Sequence, residues 1–232
     1  MTEDRAAQAA RWLVEAFETG DPLGPLPPEI APRDLAEGEE VAGAVLDGLA
    51  LPPCGLRLGP DGLAGPVVGG RLLADGVPVA LATLRHPRAS AAVVGVLAEA
   101  LDPDAAGAPI LAALHPALDI GATRFTEPPA DPALRAADLG GLGLILLGRR
   151  IPGAAPGPAR VALGPPRARR WDGEANLAAR LGEAADVARR MGGLPAGALL
   201  VVAGLTAPVV PEVGTALAAR IEGLGRASAS FA

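Results

Sequence analysis

The C-terminal stretch 199–231 constrains the fold most, because it joins a continuous apolar run to closely spaced turn residues. The apolar run begins at Leu199 and stops at Gly204 and Thr206. A stretch rich in proline and glycine, 208–214, then turns the chain, and two alternating segments meet at Gly223-Leu-Gly225. The apolar run predicts a buried strand with a polar mouth, and the alternating segments predict a β-hairpin.

Composition limits the classes of protein to which this chain can belong. The 232 residues are 50% apolar, and 31 Gly and 25 Pro are interleaved with apolar runs, which indicates short strands joined by tight turns. The net charge of −6 is spread along the chain without a basic stripe, so we expect no nucleic-acid partner. All 20 cationic side chains are Arg, which excludes Schiff-base chemistry and a lysine general base. Cys54 is the single cysteine, so no intrachain disulfide can form.

The first residues lack the basic and apolar regions of a secretion signal, and no run of apolar residues is long enough to cross a bilayer. We therefore expect a soluble, cytoplasmic protein without a membrane partner.

Hydrophobic periodicity divides the chain into helical and extended parts. It predicts helices over 3–19, from Arg33 with Asp34 as the cap, over 90–101, from about Pro109 and over 174–191. Strands are predicted over 54–58, 67–73, 77–84, 117–125, 142–147 and 160–163. Strands fill the middle and the end while helices are segregated, which indicates an α+β fold on a curved mixed sheet.

Three segments resemble the 2-keto-4-pentenoate hydratases, a branch of the fumarylacetoacetate hydrolase superfamily. They are the C-terminal stretch, Gly55-Leu-Arg-Leu-Gly59 and Pro116-Ala-Leu-Asp-Ile-Gly-Ala-Thr-Arg124. The resemblance implies a fumarylacetoacetate-hydrolase-like mixed β-sheet or roll with N-terminal helices packed on it. It divides the chain into a helical segment, 1–50, and a hydratase-like mixed β domain, 51–232, which together form one structural unit.

The resemblance also sets particular residues against the family's site. Arg57 stands where the family has a lysine, and Asp119 stands where it has a metal-binding glutamate. The family's Glu-x-Glu pair of metal ligands falls on Val77 and Val79, which cannot bind a cation. We therefore expect a divergent member without a cofactor, the alternative being Mg or Mn held weakly through Asp119.

Candidate site residues follow from this comparison. Asp119 and His115 are the candidate proton carriers, and four residues are candidates for substrate binding: Arg57, Arg124, Gly204 and Thr206. A pair of guanidinium groups can hold a carboxylate and stabilise an enolate. The alternatives are that Arg124 is a structural ion-pair partner, that Asp119 is the acid with which it pairs, and that His115 is a packed or solvent-edge histidine.

Three functions remain open. One is a hydratase- or decarboxylase-like lyase with a pocket for a small 2-oxo acid or related enol. Another is a catalytically silent homologue that binds a ligand or serves as a partner subunit. The third is a divergent enzyme of unrelated substrate whose pocket has been rebuilt with apolar groups. In each case we expect a homo-oligomer or an assembly with a related superfamily member.

Overall fold

The computed structural model describes residues 5–168 and 170–232, in which helices are few and strands dominate. The helices are α1 (Arg5–Thr19), α2 (Leu35–Gly48), α3 (Pro132–Ala137) and α4 (Leu177–Arg190). The strands are β1 (Pro53–Leu58), β2 (Ala64–Val68), β3 (Leu72–Ala74), β4 (Pro78–Val79), β5 (Arg85–Leu97), β6 (Leu111–Thr123), β7 (Leu144–Leu147), β8 (Ile151–Pro152), β9 (Pro158–Gly164), β10 (Gly173–Asn176), β11 (Leu199–Val202), β12 (Ala216–Ile221) and β13 (Gly225–Phe231). Positions 3 and 4 of the first predicted helix lie outside the described residues.

The larger sheet has eight strands, in the order β2-β1-β11-β5-β6-β7-β3, with β8 attached to β6. It is mixed, because β1 pairs with β11 and β3 pairs with β7 in parallel while the other neighbours are antiparallel. At its centre the long strands β5 and β6 pair with Ser90 opposite Asp119. This curled sheet with helices confirms the predicted α+β fold.

The smaller sheet has five strands in the order β10-β9-β12-β13-β4. Its β12 and β13 form the antiparallel hairpin predicted from the C-terminal alternation, and they are joined by a turn at Gly223 with φ +77°. A left-handed φ favours glycine, which has no Cβ to clash with the backbone.

The helices at the N-terminus and α4 cover different parts of the larger sheet. Leu13 of α1 and Val41 of α2 pack with Ile145 of β7 in one buried cluster. Leu181 of α4 packs with Leu200 of β11 in another. Burying each of these aliphatic side chains contributes about 1.5–3 kcal/mol, so the helices fix the curvature of the sheet that carries the site.

The predicted cap of α2 is confirmed, since the Asp34 side chain accepts a hydrogen bond from the Glu37 amide at 2.9 Å. This bond satisfies one of the amide groups that a helix leaves unpaired at its first turn.

Two predicted helices are wrong. Residues 90–97 belong to β5, and the chain beyond Pro109 enters β6. Alanine-rich runs favour helices by propensity, but here Val93 packs in the α4 cluster and Val94 in the α1–α2 cluster. A strand buried on both faces shows no alternation, and the tertiary contacts override the propensity of its alanines.

The strand predicted over 77–84 is also largely wrong. Only Pro78–Val79 is extended, and Leu81–Thr83 forms a 3₁₀ turn. Val79 pairs with Phe231 at the edge of the smaller sheet, whereas Asp119 has Ser90 and Ile145 as its strand neighbours. Val77 and Val79 therefore do not neighbour Asp119 in the sheet, and the alignment that set them there is corrected.

Among the described residues, the helices are all too short or too polar to span a membrane.

Candidate functional site

A cavity of about 450 Å³ lies where three strands of the larger sheet supply charged side chains. Arg57 comes from β1, Arg88 from β5 and Asp119 from β6. The rim is apolar and is built largely from prolines: Pro60, Pro87, Pro128, Pro129 and Pro208. An apolar rim around a few charged groups is typical of a site for a small organic ligand.

Arg57 and Asp119 form a two-pronged ion pair in the wall of this cavity. Arg57 Nε donates to Asp119 Oδ1 at 2.6 Å, and Arg57 Nη2 donates to Asp119 Oδ2 at 2.7 Å. The residues are only 2% and 1% exposed. Because β11 and β5 separate their strands in the sheet, this pair links distant strands across the curved face. Two parallel charge-assisted bonds fix both side chains relative to each other.

The electrostatics of the pair favour the charged form of Arg57. Burial lowers the pKa of Arg57, but the charge and hydrogen bonds of Asp119 outweigh it, so the pKa of Arg57 is raised. Arg57 Nη1 also donates to the carbonyl of Gly140 at 2.9 Å. A guanidinium has five N–H donors, so three are used and two remain. Gly121 leaves room beside them, because a Cβ there would lie 3.5 Å from Arg57 Nη2.

The Gly140 carbonyl is aimed at Arg57 by a left-handed turn. Leu139, Gly140 and Gly141 have φ values of 55°, 62° and 71°. Left-handed backbone is costly for Leu139, and such conformations persist only where surrounding packing enforces them. Here Gly140 is packed so closely that a Cβ would lie 2.8 Å from the Ala64 carbonyl oxygen.

Arg88 is the unpaired cation of this cavity. It is exposed, and its side chain makes no hydrogen bond or ion pair with any residue in 5–168 or 170–232. Arg135, on the same wall, is instead paired with Asp61. An anionic ligand would therefore find one free guanidinium at the surface of the cavity and two free N–H groups of Arg57 deeper in it.

His86 lies at the edge of the cavity in a fixed orientation. Its Nε2 donates to the Thr126 carbonyl at 2.7 Å, and its φ of 48° is unusual for a residue with a side chain. Because a carbonyl oxygen can only accept, Nε2 carries the proton in this arrangement.

Arg124 does not line the cavity with Arg57. It forms an ion pair with Asp138 and donates to the carbonyls of Leu142 and Asp138. Asp138 also accepts from the Thr123 hydroxyl at 2.6 Å, and burial raises its pKa against the opposing effect of Arg124. The two arginines therefore do not form one clamp, and the acid that pairs with Arg124 is Asp138, not Asp119.

His115 also lies away from the cavity wall. Its Nδ1 donates to the Gly148 carbonyl at 2.9 Å. Asp119 is four residues further along the same strand, a separation of about 13 Å at the usual rise. The structure thus places one of the two candidate proton carriers at the cavity and the other outside it.

Gly204 and Thr206 lie behind the cavity wall. The Gly204 amide donates to Ser90 Oγ at 3.0 Å, and Thr206 Oγ1 accepts from the Ala91 amide at 3.1 Å. These bonds hold the segment 204–210 on β5, and this segment brings Pro208 to the rim. Gly204 and Thr206 thus hold part of the cavity wall in place and do not line the cavity themselves.

Sequence reasoning missed Ser90, Arg88 and the Gly140 carbonyl. Ser90 falls in the predicted helix 90–101, and Arg88 falls in no predicted element. In a strand, residues two apart point to the same face, so both side chains would lie on the face of the sheet that carries Asp119. A backbone carbonyl leaves no signal in a side-chain pattern.

Comparisons with known proteins place these observations in context. No family model matches the chain, and no curated protein matches it. A solved structure of 4-oxalocrotonate decarboxylase from Pseudomonas putida G7, complexed with magnesium and adipate, is 17% identical with a TM-score of 0.75. A structure of the same enzyme with calcium and acetate is 19% identical with the same TM-score, and each comparison covers 100% of this chain and 99% of the other. The 2-hydroxyhepta-2,4-diene-1,7-dioate isomerase from Mycobacterium marinum is 12% identical over 78% of this chain and 76% of its own, with a TM-score of 0.56.

The prediction of no cofactor is corrected by these structures. The decarboxylase structures hold magnesium or calcium, so the absence of a metal was the wrong expectation for a protein of this fold. The described side chains do not, as arranged, fit such an ion. No group of three or more His, Cys, Asp or Glu that could hold a metal is found among them, and both Asp119 oxygens are bound by Arg57. A hard dication needs more oxygen ligands than this.

At such low identity the likeness concerns the fold and not the reaction. It extends over the whole chain in the decarboxylase and includes the helices, the curled mixed sheet and the C-terminal hairpin. The structure thus confirms the predicted fumarylacetoacetate-hydrolase-like fold.

Proposed function

We propose that this protein is a lyase of the hydratase or decarboxylase type, acting on a small 2-oxo acid or related enol in the cavity. The observation that carries the proposal is the Arg57–Asp119 pair, buried in the wall of a 450 Å³ cavity. A buried ion pair is poor evidence for stability, because desolvation offsets its attraction. Charged groups kept in a cleft at that cost are instead characteristic of functional sites.

Substrate recognition would rest on the free donors of the cavity. A 2-oxo acid carries a carboxylate beside a carbonyl, and both can accept from guanidinium groups. Arg88 would bind the carboxylate at the exposed side, and the two unused N–H groups of Arg57 would face the carbonyl oxygen. The adipate held by the decarboxylase is itself a small dicarboxylate, which supports a ligand of this size and charge.

The chemistry would begin with a proton transfer. The C3–H bond of the 2-oxo acid breaks, its proton moves to an Asp119 oxygen, and its electron pair forms the enolate. Arg57 lowers the energy of the enolate because its donors are already oriented where negative charge develops. Asp119 would then return that proton to the enolate carbon, which restores the Asp119 carboxylate.

The proposal is tested first by ligand binding. Calorimetry would measure binding of 2-oxoadipate, with Mg²⁺ present and in a chelator, to the parent and to Arg88→Gln. We expect about tenfold weaker binding for Arg88→Gln, since a hydrogen bond to a charged group contributes about 1.5–3 kcal/mol. Arg150→Gln is the matched control, because Arg150 is exposed and pairs with no described residue. A parent that binds no 2-oxo acid with or without Mg²⁺ refutes the proposal.

A second candidate is the catalytically silent homologue, which keeps the pocket for a ligand or a partner subunit. It is favoured by Asp119 having both of its oxygens occupied by Arg57. Ligand binding without exchange of the C3 proton into deuterated water would distinguish it from the lyase. Light scattering of the purified protein, alone and mixed with an active superfamily member, would test the proposed homo-oligomer and partner subunit.

A further inference from the structure

A second cavity, of about 350 Å³, adjoins the first and has a different character. Three arginines line it, namely Arg71, Arg85 and Arg124, together with Phe17 at the end of α1. Among the described residues that line it, Asp21 is the only acid. The cavity shares His86, Ala122 and Thr123 with the first, so these residues separate the two.

Arg71 stacks on an aromatic ring. Its guanidinium carbon lies 4.4 Å from the centroid of the Phe17 ring, and that of Arg124 lies 5.9 Å from the same centroid. The stacking orients the guanidinium plane and uses none of its N–H groups. Arg71 makes no hydrogen bond or ion pair within the described part of the chain. All five of its donors are therefore available.

The charges around Arg71 are not balanced locally. Arg124 is neutralised by Asp138. Arg85 is half-buried and, like Arg71, its guanidinium has no ion-pair or hydrogen-bond partner among residues 5–168 and 170–232. Burial and the charge of Arg124 both lower the pKa of Arg71. Asp21 is exposed and forms no ion pair with any described residue. The end of α1 contributes about half a negative charge, which is less than the two unpaired cations require.

We propose that this second cavity is a binding site for a compact oxyanion, a phosphate or carboxylate group of a small ligand. Arg71 and Arg85 would hold the oxyanion, with Arg71 presenting a planar fork of donors that matches such a group. In a chain with a net charge of −6, two unpaired guanidinium groups in one recess are difficult to explain by general solubility.

This site is independent of the proposed lyase function. Neither Arg71 nor Arg85 lines the first cavity, and Arg57, Asp119 and Arg88 do not line the second. A ligand in the second cavity would lie against His86, on the other side of that residue from the first.

The test is calorimetric titration of the whole protein with inorganic phosphate and, separately, with succinate, both in dilute chloride. Tighter binding of one probe identifies which oxyanion the site prefers. We expect Arg71→Gln and Arg85→Gln each to weaken that binding about tenfold or more, as loss of a charge-assisted bond does. Binding that falls steeply as chloride is raised would agree with this reading, because exposed charges are screened by salt.

Three comparisons make the result decisive. Arg150→Gln removes a cation elsewhere and should bind either probe as the parent does. Arg88→Gln removes a cation from the first cavity and should leave phosphate binding unchanged. Arg71→Lys keeps the charge without the planar fork and should bind with intermediate affinity. The proposal would be overturned if neither phosphate nor succinate bound saturably. It would also be overturned if Arg150→Gln weakened binding as much as Arg71→Gln and Arg85→Gln do. If Arg71→Gln did not fold, Arg85→Gln would decide it.

Discussion

Ser90 lies directly opposite Asp119 in the register of β5 and β6, and both residues are buried. The Ser90 hydroxyl accepts from the Gly204 amide, while the Asp119 carboxylate binds Arg57. One point in the central hairpin thus anchors both the segment 204–210, which forms part of the rim, and the ion pair of the cavity.

Removing either partner of the buried ion pair should be strongly destabilising. Asp119→Leu or Arg57→Met leaves an unpaired buried charge, which typically costs about 3–5 kcal/mol. The double variant should recover most of that loss, because no charge is then left buried. Urea unfolding of the four proteins would give the coupling energy. Arg160→Met, in the exposed pair with Glu222, is the control and should change the urea midpoint little. Equal losses for single and double variants would contradict this account.

Gly140→Ala should destabilise the protein more than Gly153→Ala. The two glycines have nearly the same left-handed φ, +62° and +64°. The added methyl group would meet the Ala64 carbonyl oxygen at 2.8 Å at position 140, but nothing within 4 Å at position 153. Both variants carry the left-handed penalty of about 1–2 kcal/mol, and only the first carries the clash. Thermal unfolding measures the difference, and equal midpoints would show that the turn relaxes without cost.

Ser90→Ala should loosen the segment 204–210. The Gly204 amide would lose its acceptor, and an unsatisfied buried donor costs about 1–3 kcal/mol. Hydrogen exchange at Gly204 should therefore accelerate about tenfold or more. Ser230→Ala is the control, because Ser230 is exposed and no side-chain hydrogen bond of it is found in the described structure. Unchanged exchange at Gly204 would mean that other contacts hold this segment.

The N-terminus of α2 should contribute stability that depends on pH. Hydrogen bonds from the Arg33 side chain and backbone lower the pKa of Glu37 from 4.5 to about 2. A lowered pKa in the folded state means that the contribution is present above pH 4.5 and is lost as the pH falls through about 2. The difference in urea midpoint between the parent and Glu37→Gln should follow that course. The Arg33→Gln variant removes the side-chain hydrogen bonds but keeps the backbone hydrogen bond, so it should reduce the pH dependence of the difference.

The sequence was most informative where a local pattern determines structure. Asp34 as a capping residue predicts the start of α2, and the apolar spacing over 174–191 predicts α4. Gly223 indicates the turn of the C-terminal hairpin. Arg57 and Asp119 were identified through a family resemblance in short segments, and the structure brings them together. Such signals survive because capping, helical spacing and turns depend on neighbouring residues.

The errors concern contacts between distant parts of the chain. Residues 90–97 are rich in alanine and buried on both faces, so neither propensity nor alternation reveals a strand. The strand neighbours of Asp119 depend on the register between β5 and β6, which a single sequence does not specify. The pairing of Arg124 with Asp138 and the Gly140 carbonyl beneath Arg57 likewise require the folded sheet.

The proline rim of the first cavity has a consequence for how a ligand would enter. A pyrrolidine ring fixes φ and removes the amide hydrogen, so the five prolines of the rim have restricted backbones and offer no main-chain donors. The shape of the rim is therefore preorganised, and its backbone loses little conformational entropy when a ligand binds. The charged groups of the cavity would then discriminate between ligands by their chemistry, and the proline rim would limit their size.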